Sequence, residues 1–243
     1  MKKETIQSAF QSYADLMYPF ASTEQMDRIL ETLKANQVAG QTVFPRGLEC
    51  FKAFQVTPIN KVRVVLIGMD PYPRPEFATG LAFSCPPGTK TLPPSLEVIF
   101  KKIEQGSYNG LNLQTGSSLS NPNPDLTRWA EQDVLLLNSA LTVGTDPADN
   151  LIKSGVHVEL WKPFITYFIK ALNEVKRNLI FIAWGENAKE VVKNVDLFTN
   201  LHFVLTSEHP VAAKRNNREW ECDTFDRVNA IIKASNLGEP IVW

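Results

Sequence analysis

Cysteine, histidine and long apolar runs are all scarce in this chain of 243 residues. The three cysteines, Cys50, Cys85 and Cys222, are odd in number and far apart, which argues against a disulfide framework and against a four-cysteine metal or iron-sulfur site. The three histidines form no H-x-x-x-H pair of the kind that holds a metal on a helix. We therefore expect no metal ion.

The sequence also lacks an excess of charge and a membrane-spanning run. It carries 25 basic and 26 acidic residues, so a polyanion would have to bind at a local patch. No apolar run approaches the roughly 18 residues of a membrane span, and the N-terminus is unlike the core of a signal peptide. We expect a cytoplasmic, intracellular protein, whose 44% hydrophobic residues can bury the core of one domain spanning residues 1–243.

What the chain does contain is a set of short apolar runs that end in polar residues or glycine. The first, VVLIG at residues 64–68, leads into the turn MDPY at 69–72. Continuous apolar runs of this length are typical of strands covered on both faces, as in parallel sheets. Similar runs occupy residues 134–138, 179–185 and 202–206.

Segments with helical periodicity separate these runs. They lie at Ser95–Ile103, Leu126–Gln132, about Val158–Val175, Ala188–Asn194 and Thr224–Ala234. Ser95, after two prolines, is predicted to cap its helix, and residues 105–125 are predicted to form a surface loop. Strands that alternate with helices predict an α/β fold with a central four-stranded, mainly parallel sheet and helices on both faces.

The carboxyl ends of parallel strands lie at one edge of a sheet, where open α/β folds bind their ligands. Asp70 and Tyr72 follow the first strand, Asn138 ends the second, Gly185 ends the third and His209 follows the fourth. The proline after Asp70 biases the acid toward an extended conformation. An acid, a histidine, an amide and aromatic rings together suit a reaction on a flat heterocycle. Taken singly, Asp70 could instead cap a turn, and His209 could be an ordinary residue at a strand end.

The segment around Asp70 reads GMDPYPRPEFATGLAFS, and five further segments read PPSLEVIF, WAEQDVLLLNSALTV, FIAWGENA, SEHP and EPIVW. In this order they resemble the motifs of the family 1 uracil-DNA glycosylases, whose water-activating motif is usually written GQDPYHGPNQAHGLCFS. The similarity runs from about Phe44 to Trp243. It implies an enzyme that needs no cofactor, hydrolyses the N-glycosidic bond of uracil in DNA by base flipping, and so initiates base excision repair.

The resemblance implies a role for each residue of the pocket. Asp70 is implied to stabilise the cationic sugar and orient the attacking water, and neutral His209 to stabilise the departing uracil anion through a hydrogen bond to O2. Asn138 is implied to pair with uracil O4 and N3–H, which cytosine cannot match. Tyr72 is implied to exclude the thymine methyl. Phe83 is implied to stack on the base, although its local sequence is also typical of a core residue.

The residues implied to contact DNA follow the family pattern less closely. Ser95 and Gly185 lie in retained motifs, and the resemblance implies that they contact DNA. Met69 replaces a glutamine at a position where the family binds substrate through the backbone. Pro73 replaces a histidine that contacts phosphate, and Glu186 stands where a serine is common.

The loop after the SEHP motif departs furthest from the family. HPVAAK in place of HPSPLS puts Val211 and Lys214 at the positions of phosphate-binding serines, and Ala213 at that of a leucine that wedges into the duplex. A methyl group cannot fill the stack vacated by a flipped base, which predicts a preference for single-stranded over duplex DNA. Lys214, Arg215 and Arg218 could compensate by contacting phosphates or filling the gap, or could form a solvated charge run.

Three functions stay open at this point. They are a uracil hydrolase, a relative that acts on modified uracil or on single-stranded DNA, and a non-catalytic DNA-binding or decoy protein with the same fold. The retention of Asp70, Asn138 and His209 argues against the third. The expected partner is uracil-containing DNA, single- or double-stranded, and not a membrane. We expect a monomer, and the sequence leaves open whether a protein inhibitor or a repair partner binds.

Overall fold

The structure, a computed structural model, describes residues 1–106, 123–193 and 200–243. In this part of the chain the strands are β1 (Val43–Phe44), β2 (Val64–Gly68), β3 (Val134–Asn138), β4 (Val143–Thr145), β5 (Ile152–Lys153), β6 (Ile180–Trp184) and β7 (Phe203–Ser207). The helices are α1 (Lys3–Phe10), α2 (Ala14–Ala21), α3 (Glu24–Val38), α4 (Lys52–Val56), α5 (Pro94–Gln105), α6 (Thr127–Ala130), α7 (Val158–Val175), α8 (Glu186–Val192), α9 (Pro210–Arg215) and α10 (Thr224–Ala234).

A parallel sheet forms the centre of the fold. Within the described residues its four strands lie in the order β3-β2-β6-β7, and every neighbouring pair is parallel. Every residue of β2, β3 and β6 is buried, as their unbroken apolar sequences predict. The predicted α/β class is therefore confirmed. The bounds of β2 and β3 are the predicted ones, and those of β6 and β7 differ from the predicted ones by one residue at each end.

A second, smaller sheet is absent from the sequence predictions. In the described part of the chain it consists of β1, β4 and β5, paired antiparallel in the order β1-β4-β5. Strands of two or three residues are too short to show an alternating pattern. This sheet bears on the site because β5 leads directly into a turn at Ser154 and Gly155, and α7 begins three residues later.

The helix predictions hold for α7 and α10, whose bounds are those expected, whereas the predicted cap of α5 is wrong. That helix begins at Pro94, with Pro93 in the capping position and no side-chain hydrogen bond there, so Ser95 lies inside the first turn. Proline suits a first helical position because its φ is preset and its missing N–H would be unpaired there anyway. Residues 107–122 of the predicted loop, and Asn194 at the predicted end of α8, lie outside the described residues.

Aromatic side chains join the N-terminal helices to the rest of the core. The ring of Phe54 in α4 lies 5.5 Å from that of Phe10 in α1 and 5.0 Å from that of Phe168 in α7. The Tyr13 hydroxyl, also buried, donates to the carbonyl of Thr57 at 2.8 Å. This helical layer was not predicted from the sequence. None of the helices in the described ranges is long and apolar enough to cross a membrane.

Candidate active site

The carboxyl edge of the parallel sheet brings the predicted site residues together. Asp70 lies two residues beyond β2, Asn138 ends β3, and His209 lies two residues beyond β7. Backbone hydrogen bonds tie the ends of the first two strands: Ser139 N–H donates to the Gly68 carbonyl at 2.9 Å. The catalytic and base-reading groups implied by the resemblance therefore share one edge.

Asp70 is held by two donors from the turn between β5 and α7. The Ser154 hydroxyl donates to Oδ1 at 2.5 Å, and the Gly155 N–H donates to Oδ2 at 2.6 Å. Burial raises the pKa of the Asp70 carboxyl above its usual range, and the two hydrogen bonds oppose that rise. Ser154 and Gly155 were not predicted from the sequence, because they follow a two-residue strand and lie in no recognised motif.

Asn138 presents an unpaired acceptor. Its side chain is buried, and no donor among the described residues reaches its Oδ1. Gly68 lies opposite Asn138 in the sheet, and a Cβ at Gly68 would collide with this oxygen. Since buried polar atoms normally have partners, an unpaired oxygen at a strand end is consistent with a ligand donor that completes it.

His209 presents a donor. Its Nδ1 accepts the backbone N–H of Val211 at 3.2 Å, so the neutral ring carries its proton on Nε2. Burial lowers the pKa of His209, and the positive charge of Arg215 lowers it further, which favours the neutral ring. A Cβ at Gly185 would lie 2.9 Å from the Cβ of His209, so glycine makes room for this side chain. The N–H of Gly185 donates to the Ser207 carbonyl at 3.0 Å, so a DNA contact at this position would use another group.

Two aromatic side chains adjoin these polar groups. The Tyr72 hydroxyl donates to the Phe83 carbonyl at 3.0 Å, and the Phe83 ring lies 6.0 Å from the His209 ring and 5.5 Å from the Trp184 ring. Burial raises the pKa of Tyr72 well above its usual value, so its hydroxyl stays a donor. Phe83 has a φ of 62°, a strained conformation for a bulky residue that is typical of functional sites.

The loop after His209 forms the short helix α9. The Ala213 side chain is 1% exposed and faces the fold interior, on a helix that packs against α5. This differs from the exposed position that a wedge would need. The ammonium of Lys214 lies 2.5 Å from Glu97 Oε2, and Arg218 pairs with Glu208. Carboxylates therefore already hold two of the three predicted DNA-binding cations.

The remaining predicted DNA contacts have varied surroundings. Arg215 is exposed and has no acidic partner among the described residues. Ser95 is buried in the first turn of α5. Glu186 is exposed at the start of α8 and pairs with Lys189 at 2.8 Å. The Met69 backbone carbonyl accepts the Ser139 hydroxyl at 2.8 Å, so that acceptor is engaged inside the protein.

Comparison with known proteins identifies the family. Residues 54–233 match the profile of the Uracil DNA glycosylase superfamily, about three quarters of the chain. The chain belongs to the uracil-DNA glycosylase superfamily. The enzyme class predicted from the motifs is confirmed by this membership. Across the described ranges this glycosylase places no group of three or more His, Cys, Asp or Glu side chains that could hold a metal ion.

Relatives of this superfamily member are similar along nearly its whole length. A uracil-DNA glycosylase of Acinetobacter baumannii (strain AYE) is 35% identical over 235 residues, which cover 96% of this chain and 91% of the relative. One from Aliivibrio fischeri (strain ATCC 700601 / ES114) is 34% identical over 213 residues, 88% of each chain. A crystal structure of a mimivirus UNG variant in complex with UGI superposes with a TM-score of 0.81 at 25% identity, covering 98% of this chain and 90% of that one.

Proposed function

We propose that this chain hydrolyses the N-glycosidic bond of uracil in DNA, as a family 1 uracil-DNA glycosylase, and thereby initiates base excision repair. The observation that carries the proposal is the set of three groups at one sheet edge. These are a carboxylate held by two donors, a buried amide oxygen without a partner, and a neutral imidazole with its proton on Nε2. Each of these three groups meets one chemical requirement of the reaction.

The bond from sugar to base breaks with positive charge on the sugar and negative charge on uracil. Asp70, as a carboxylate, stabilises the cationic sugar and orients the water that attacks it. His209 donates its Nε2–H to uracil O2 and stabilises the departing anion without transferring the proton. A neutral imidazole suits this role, and the lowered pKa of His209 favours the neutral form.

The amide of Asn138 reads the base once the nucleotide has been extruded from the stack. Its Oδ1, which lacks a protein donor in the described chain, accepts uracil N3–H, and its NH₂ donates to O4. Cytosine presents the reverse pattern and would leave both amide groups mispaired, which supports discrimination on the order of 10⁴. Tyr72 closes the space beside C5 against a methyl group, and Phe83 stacks on the base face.

We further propose that single-stranded uracil-DNA is the better substrate. Extrusion from a duplex loses a few kcal/mol of stacking and pairing, which a wedge side chain offsets. The buried methyl group of Ala213 cannot enter the stack, and Lys214 and Arg218 are already paired with carboxylates. Arg215, exposed and close enough to His209 to lower its pKa, is the best-placed cation for the nucleotide being extruded.

A release assay tests the proposal. Single-stranded and duplex oligonucleotides carrying uracil opposite A or G are incubated with the protein, with thymine and 5-hydroxymethyluracil as competing bases. We expect uracil release, fastest from single strands, and a loss of several orders of magnitude in Asp70→Asn with DNA binding retained. The exposed Asp226→Asn serves as the matched control. DNA binding without release of any base would instead identify a decoy protein, and release of 5-hydroxymethyluracil in preference to uracil would identify a shifted substrate.

A further inference from the structure

We propose that Ser154 and Gly155 are positioning residues that aim the Asp70 carboxylate at the sugar. Their donors bind different oxygens, at 2.5 Å on Oδ1 and 2.6 Å on Oδ2. Two donors on two oxygens fix the rotation of the carboxylate plane, which a single donor would leave variable. We call this pair the 154–155 clamp. The inference rests on the glycosylase reaction proposed above, in which Asp70 faces the sugar.

The clamp stands on a well-anchored turn. On its N-terminal side, β5 pairs with β4 in the small antiparallel sheet. On its C-terminal side, the Val158 N–H donates to the Gly155 carbonyl at 3.1 Å as α7 begins. Gly155 has a φ of 90°, a conformation that other residues rarely adopt, and this turn is what directs its N–H toward Asp70.

A buried chain of hydrogen bonds fixes the start of α7 behind the clamp. His157 Nδ1 lies 2.9 Å from the Thr142 hydroxyl, which also accepts the indole N–H of Trp161 at 2.8 Å. The Thr142 hydroxyl, with one proton and two lone pairs, can serve both neighbours at once, so it links the start of α7 to the first turn of that helix. All three side chains are buried, so the turn has little freedom to move relative to the sheet.

The clamp also favours the ionised form that the reaction requires. Hydrogen bonds to a carboxylate oppose the effect of burial on its pKa, and each oxygen keeps a lone pair for the attacking water. The nearest cation along the chain, Lys153, pairs with Asp146 and Asp149. Since the Lys153 ammonium pairs with these two carboxylates, the neutral donors of Ser154 and Gly155 stabilise the Asp70 carboxylate.

Other titratable groups lie near the site, and their effects on the pH dependence of the rate must be distinguished from that of Asp70. Tyr72 and His157 are buried and neutral, with pKa values shifted by burial. His209 has a lowered pKa, and its protonation at acid pH would also slow uracil release. An acid limb in the rate profile therefore reports on both His209 and Asp70, and a direct titration of the Asp70 carboxyl is required.

The test compares Ser154→Ala with Ser154→Thr, which keeps the hydroxyl, in the full-length protein. The carboxyl ¹³C resonance of Asp70 is titrated by NMR, and single-turnover uracil release from single-stranded DNA is measured across pH. We expect Ser154→Ala to raise the titration midpoint of Asp70 by about one pH unit, as the loss of a hydrogen bond to a charged group predicts. Its rate at neutral pH should fall about tenfold at unchanged DNA affinity, and Ser154→Thr should restore both values.

The control is Ser8→Ala, which removes an exposed hydroxyl from α1 that donates only to a carbonyl of its own helix. An unchanged Asp70 midpoint in Ser154→Ala would overturn the inference, whatever happens to the rate. A loss of rate in Ser154→Ala that Ser154→Thr does not restore would overturn it as well. The NMR titration needs no turnover, so failure of the clamp is distinguishable from failure of the proposed reaction, which an inactive wild-type protein would reveal.

Discussion

Asp70 carries its charge where burial disfavours charge. Its folded pKa is raised above the value near 4 of an unfolded aspartate, so the carboxyl stabilises the fold while it is protonated, below about pH 4. This contribution is lost as the pH rises through the folded pKa. At neutral pH the Asp70 carboxylate therefore lowers the free energy of unfolding, in exchange for a charge next to the reacting sugar.

Asp70→Asn should accordingly make the protein more stable at pH 7 while it lowers turnover by several orders of magnitude. The amide can still accept the Gly155 N–H and donate to the Ser154 hydroxyl. We expect a rise in Tm of about 2–4 °C for each kcal/mol recovered, shrinking toward zero near pH 3. Calorimetry from pH 3 to pH 8 measures it, with exposed Asp226→Asn as the control. If Asp70→Asn lowered Tm at pH 7 but not near pH 3, the two hydrogen bonds would stabilise the Asp70 carboxylate by more than burial destabilises it.

Asn138 offers a second test at the same scale. Replacing it by Asp places a carboxyl group against the base, and its protonated form can donate to cytosine N3 while accepting from the amino group. We therefore expect Asn138→Asp to release cytosine detectably, more at acid pH, and to release uracil more slowly. A base-release assay on matched single strands measures both, with exposed Asn60→Asp as the control. No cytosine release, together with undiminished uracil release, would place the base elsewhere.

The short helix α9 changes how the loop after His209 is interpreted. Position along the chain aligns Ala213 with a wedge residue, but the turn of the helix directs its side chain inward, where it is 1% exposed. The outward positions belong to Lys214 and Arg215. Contact with a DNA strand is therefore expected from charged side chains.

Ala213→Leu should thus destabilise the protein instead of restoring a wedge. Extra carbon atoms in a well-packed contact lower the free energy of unfolding by about 1–3 kcal/mol. Arg215→Ala should lower the rate on duplex substrate more than on single strands, whereas Lys214→Ala, which removes a cation already paired with Glu97, should change their ratio little. Rates are compared at fixed salt because phosphate contacts are screened. A selective gain of duplex activity in Ala213→Leu at unchanged Tm would show that this side chain does reach DNA.

Elements with a contiguous signal in the sequence were predictable. The apolar stripe of α7 marks both of its ends, and β3 is an unbroken apolar run. The strands β1 and β5 have two residues each and carry no period, so the small sheet was not predictable. Its pairing depends on tertiary contacts between distant segments.

The same distinction applies to the site. Asp70, Asn138 and His209 were predictable because each lies at the end of a strand or just beyond it, and parallel topology brings strand ends to one edge. Ser154 and Gly155 were not, because they reach Asp70 only through the small sheet. The burial of Ala213 was not predictable either, since a six-residue helix leaves the choice of its inner face to packing against α5.

At the scale of the whole molecule, the N-terminal helices and the sheet share one core. Phe10 of α1 is fully buried, and its ring lies 4.9 Å from that of Phe51, 5.5 Å from that of Phe54 and 5.9 Å from that of Phe164. Phe164 belongs to α7, the helix whose first turn follows the 154–155 clamp. The aromatic cluster thus connects the end of the chain that lacks recognised motifs to the helix behind the active site.

This connection predicts that residues 1–243 unfold as one cooperative unit. Phe10→Ala should remove about 3–5 kcal/mol of stability, a large part of the roughly 5–15 kcal/mol of a typical domain, and lower Tm by about 6–20 °C. This loss of stability should lower the midpoint of a single thermal unfolding transition, because the cavity left by Phe10→Ala lies in a core shared by α1, α4 and α7. Uracil release by the folded protein at low temperature should be unchanged, since Phe10 lies outside the site. Tyr18→Ala, at a side chain on α2 that is 47% exposed, is the control. Two transitions by calorimetry, with only the earlier one lowered by Phe10→Ala, would show that the N-terminal helices fold separately and that the prediction of one domain is wrong.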